Sequence, residues 1–156
     1  MRKQVIRVPQ SAPAWDQGWL DLNQAASVEV TSEDENHPIE SALLGDDARG
    51  WRAAEPGTQT IRLVFDSPCR IRRIWLAFED NEASRTQEFV LRCSAHVGQP
   101  FREIVRQQWN FSSPGAVREI EDYAVDLFDV KVLELVIVPD KSGGETRVSL
   151  VKMRLA

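Results

Sequence analysis

HPIESALLGDDARGW, residues 37 to 51, is followed at residues 56 to 78 by PGTQTIRLVFDSPCRIRRIWLAF. The first stretch is a polar loop that opens on a proline, carries two acids after Gly45 and closes on Trp51. In the second, Ile61, Leu63 and Phe65, then Ile74, Leu76 and Phe78, recur at a period of two. Side chains on a strand point alternately to opposite faces, so this spacing predicts two half-buried strands joined by a short turn at residues 67–70.

The same period continues along the chain. Phe89, Leu91, Cys93 and Ala95 mark a third strand, and residues 101–108, 117–127, 130–139 and 148–155 extend the series. VKVLELVIVP is apolar on both parities, as a strand covered on both faces would be. Ser-Pro, Gly-Gln-Pro, Ser-Pro-Gly and Ser-Gly-Gly sequences separate the runs, and no sustained amphipathic helix lies between them. The expected fold is all-β, an antiparallel β-sandwich with jelly-roll topology. Only residues 39–44 suggest a helical turn. The first 14 residues, with Pro9 and Pro13, are expected to be a loosely held leader. Residues 15–156 then form one domain, with residues 15–22 joining a sheet edge.

Composition narrows the function classes. A domain of 156 residues buries roughly 70% of the surface its unfolded chain exposes, enough for one core. Hydrophobic residues make up 42% and no apolar run reaches the ~20 residues of a membrane helix, so no membrane partner is expected. The 19 Lys and Arg are scattered among 24 acids for a net charge of −5, which argues against nucleic acid as a partner. Nothing like a signal peptide precedes Trp15, and Cys69 and Cys93 fall inside strands, so a cytoplasmic protein with reduced thiols is expected. Phosphate-cradling glycine loops, a nucleophile elbow and zinc-ligand spacing are all missing, which argues against an enzyme, and no cofactor is expected.

The order of loop, Trp and strands resembles the discoidin domain, the galactose-binding-like sandwich also known as the coagulation-factor C-type domain. Ser41, Ala42, Gly45 and Trp51 match its first loop, Ile61 to Phe65, Asp66, Pro68, Ile71 and Ile74 its next strands, and Ser149 to Leu155 its closing strand. That resemblance implies a binding module, most naturally for carbohydrate, with an intracellular protein-interaction or assembly module as the alternative. It also implies a structural calcium held by an Asp in the loop and a Glu on the last strand. Those positions are Leu44 and Lys152 here, so no metal is expected.

Antiparallel alternation sends the longer connections, residues 45–58, 79–86, 109–116 and 140–146, to one end of the sandwich. This crown is the expected site. Its candidate ligand-binding residues are Glu79, Asn81, Arg85, Trp109 and Asn110. An aromatic face beside amides and carboxylates suits a sugar, and an Arg makes planar bidentate contacts. The competing readings remain open: Trp109 and Phe111 would also serve to cap the core, and Arg85 to neutralise a neighbouring acid. Trp51 is expected to be a core anchor, and Trp75 to cover a sheet face where a protein partner would dock. Oligomeric state is not legible.

Overall fold

The computed structural model describes residues 1–4, 18–81 and 84–156. Its elements in order are α1 (Leu22–Ala25), β1 (Ala26–Val30), α2 (Glu40–Leu43), β2 (Trp51–Arg52), β3 (Gln59–Glu79), β4 (Arg85–Ser94), β5 (Arg102–Phe111), β6 (Arg118–Val138), β7 (Ser149–Leu150) and β8 (Lys152–Leu155). All pairings between these strands are antiparallel. Among the described residues no helix is long and apolar enough to cross a membrane.

β3 and β6 generate the architecture. Each runs 21 residues, and they pair along their lengths with register shifts between Val64 and Arg73. The front layer is β1, the first half of β3, the second half of β6, β4 and β5; the back layer is β8, the second half of β3 and the first half of β6. The expected turn at residues 67–70 and the expected break between residues 127 and 130 are therefore corrected. Extra residues bulge and bend both strands without ending them, so the pair passes from one layer into the other. Lys131 pins the bend, its Nζ donating to the carbonyls of Phe65 at 2.6 Å and Asp66 at 3.1 Å.

Alternation along these strands fills the space between the layers. Phe78 of the back layer stacks on Phe89 of the front at 5.4 Å between ring centroids, and Tyr123 meets Phe89 edge-on at 6.5 Å. Trp51, Phe65 and Phe111 complete the buried aromatics. Two sequence expectations shift at the N-terminal side. The edge strand is Ala26–Val30, paired with β3, and a second helical turn precedes it, its first turn capped by Asp21 accepting from Asn23 N at 3.1 Å. Trp15 and residues 5–14 of the expected leader lie outside the described residues.

One carboxyl is sealed between the layers. Glu119 is wholly buried and accepts from the Gln87 amide at 3.3 Å, while its Oε2 accepts no hydrogen bond among the described residues. Burial, reinforced by Glu121 two residues on, pushes its pKa up to about 8 from 4.5. The folded state thus binds this proton more tightly than the unfolded chain, and the associated stability is lost as pH rises from 4.5 through about 8. Glu119→Gln is expected to flatten that alkaline decline, raising the melting temperature more near pH 9 than near pH 5. An unchanged slope in thermal melts across this range would contradict the assignment.

Candidate functional site

β2 and β7 form a two-stranded ribbon with Trp51 opposite Leu150 and Arg52 opposite Ser149. Alternation buries Trp51 and Leu150 completely and turns Arg52 and Ser149 the other way. The ribbon depends on Gly50: with φ at 65°, a Cβ there would stand 2.5 Å from the Leu150 carbonyl oxygen. Hydrogen bonds from Asp34 N to Arg52 O at 2.8 Å and from Arg52 N to His37 O at 3.2 Å lay residues 34–37 alongside. Residues 79–81 and 145–147 close the remaining sides. The result is an open pocket of about 580 Å³ at the crown.

Glu79 and Asn81, two of the expected site residues, line this pocket and are exposed. Trp109 and Asn110 do not line it. They lie on β5 opposite Gln87 and Thr86, where Trp109 packs half-buried against the core and Asn110 accepts from Thr86 Oγ1 at 2.7 Å. Arg85 is a correction. Its side chain is 1% exposed, with Nε 2.6 Å from Asp80 Oδ2, Nη1 3.0 Å from Gln87 Oε1, and the guanidinium 4.5 Å from the Phe111 ring centroid. The expected exposed ligand clamp is an internal bolt that ties the 79–81 loop to the sandwich, because strand parity turns residue 85 inward together with Gln87 and Phe89.

Sequence reasoning missed His37, Arg49, Arg52, Glu145, Thr146, Arg147 and Ser149, which line the same pocket. For Arg52 the signal was present: it follows a core Trp on a strand and so must face away from the core. The pocket's charges are partly spoken for. Asp47 holds Arg49 at 2.8 Å, and this pairing with Arg49, helped by Ser41, keeps its carboxyl well below the usual range. Asp34 lies 3.7 Å from His37 Nδ1 and 3.8 Å from Arg147. Arg52 has no acidic partner among the described residues.

The residues at the family's usual calcium position do not fit a metal. Lys152 Nζ donates to the carbonyls of Ser41 at 2.9 Å, Gly45 at 3.2 Å and Asp47 at 2.9 Å, while Leu44 packs against the core. An ammonium directed at these oxygens opposes a divalent ion electrostatically. Chelation with EDTA is expected to leave the melting temperature unchanged, whereas Lys152→Met should cost about 1.5 to 3 kcal/mol by stranding charge-bonded acceptors. A melting temperature that drops by several degrees in EDTA would overturn the first expectation.

No family model matches the sequence, and no curated protein does. Solved structures do match. A pectin-binding carbohydrate-binding module superposes with a TM-score of 0.62 at 18% identity, over 85% of this chain and 90% of that one. The chain shares the β-sandwich fold of that module. The family 32 carbohydrate-binding module of AlyQ, solved in complex with 4,5-unsaturated mannuronic acid, gives the sandwich a TM-score of 0.60 at 18% identity, over 83% and 93%. Reduced XRCC1 bound to the DNA polymerase β catalytic domain gives it 0.57 at 18%, over 85% and 97%.

Proposed function

We propose that this protein is a non-enzymatic carbohydrate-binding module and that its sugar occupies the crown pocket. The observation that carries the reading is the pocket itself. It is open, and its volume of about 580 Å³ fits the size of small-ligand sites. Its lining mixes donors and acceptors, with Asn81, Thr146, Ser149 and Arg52 beside Glu79 and Glu145. A sugar presents hydroxyls that both donate and accept, so such a mixture satisfies it. Two of the neighbours in fold are carbohydrate-binding modules, which supports the same use here.

Binding of purified protein to a glycan array tests this. Glu79→Ala and Asn81→Ala are each expected to weaken binding by more than about 1 kcal/mol with little change in melting temperature, the pattern of an exposed contact residue. Asn110→Ala should leave binding unaltered. A protein-interaction module is the second reading, favoured by the XRCC1 complex on this fold and by Ile120, 49% exposed near Trp75 on the outer face of the back layer. An array without a single bound glycan, alongside oligomers or a captured partner sensitive to Trp75→Ala, would favour that account.

A further inference from the structure

We infer that the crown pocket recognises an acidic sugar, whose carboxylate pairs with Arg52. This rests on the sugar reading above and adds the chemical class. Arg52 is half-buried on the β2 ribbon, its backbone N–H and carbonyl both bonded to the 34–37 segment. Arg52 lines the pocket with no acid at salt-bridge distance among the described residues.

The nearby cations differ in this respect. Arg49 is committed to Asp47 at 2.8 Å, Arg85 to Asp80 at 2.6 Å, and Arg147 and His37 share Asp34 at longer range. Charged groups drawn out of water are normally paired, so a half-buried guanidinium without a counter-charge is shaped for one that arrives with the ligand. The planar fork of an arginine matches the two oxygens of a carboxylate in a bidentate pair.

Two acids that line the pocket with no cationic partner among the described residues refine the class. Glu79, at the end of β3, and Glu145, on a loop, are exposed and able to accept from hydroxyls, but they repel further negative charge. One anionic group therefore fits at Arg52, with the rest of the sugar neutral and hydroxylated against Asn81, Thr146 and Ser149. A sulfate ester shares the negative charge but not the planar two-oxygen edge.

Titration calorimetry on the intact protein with galacturonic acid, its methyl ester and galactose 6-sulfate tests the inference. The acid is expected to bind at least about tenfold more tightly than the uncharged ester, with a gap that narrows as salt rises. Arg52→Gln should erase the gap without lowering the melting temperature, and Arg52→Lys should restore only part of it. Equal affinity for acid and ester, or a gap that survives Arg52→Gln, overturns the inference and leaves sugar binding in place. Tighter binding of the sulfate than of the acid overturns the carboxylate assignment. Silence with all three ligands and with every neutral glycan on the array removes the sugar reading beneath it.

Discussion

Trp51→Ala is expected to cost roughly 3 to 5 kcal/mol of folding stability, the range for deleting a large aromatic from a packed interior. Trp51 is 0% exposed, and its indole Nε1 donates to the Ser32 carbonyl at 3.2 Å. The ring thus joins three parts of the crown: the 32–37 segment, the β2–β7 ribbon and the core beneath. For a domain of this size each kcal/mol moves the melting temperature by about 2 to 4 °C, so the loss is plain in a thermal or denaturant melt. A variant that melted within a degree or two of the parent would show that this loop is not anchored as described.

Arg85→Ala should be comparably costly, about 3 to 5 kcal/mol, because truncation takes the guanidinium away from a nearly buried carboxylate. Asp80 is 12% exposed, Gln87 is wholly buried, and the Pro139 carbonyl accepts from Nη1 at 2.5 Å. Three groups would lose the guanidinium at once. Arg85→Lys is expected to recover little, since one ammonium cannot reach all three. Chemical denaturation of the two variants checks this. Near-parent stability together with lost glycan binding would return Arg85 to the role of ligand contact that its place in a polar loop suggested.

Strand periodicity was legible wherever one face is buried, as in Ile61 to Phe65 and Phe89 to Cys93, because burial imposes a period of two. Continuity through the bends was not. Ser67-Pro68 carries turn chemistry, and only the pairing of Cys69 with Val130 and the Lys131 contacts show that the strand carries on. The crown was legible as an end of the sandwich from loop lengths alone, and Glu79 and Asn81 followed from it. Trp109 and Asn110 were misplaced relative to the pocket because sequence gives the end at which a connection lies but not the side. Residues 109 and 110 are still within β5, paired to β4, while the pocket is built on the β2–β7 ribbon. Arg85 shows a further limit, since a charged residue in a polar run is exposed by default and only strand parity reveals that it points inward.

The bent pair of β3 and β6 has a consequence for how the molecule comes apart. Because both strands belong to both layers, neither layer can be peeled away while the other keeps its hydrogen bonds. Unfolding is therefore expected as a single cooperative transition seen alike by tryptophan fluorescence and circular dichroism. The same connectivity slows assembly. β4 and β5 lie between β3 and β6 in the chain, so the central ladder closes only after a long loop has been ordered, which places folding in the millisecond-to-second range of all-β domains.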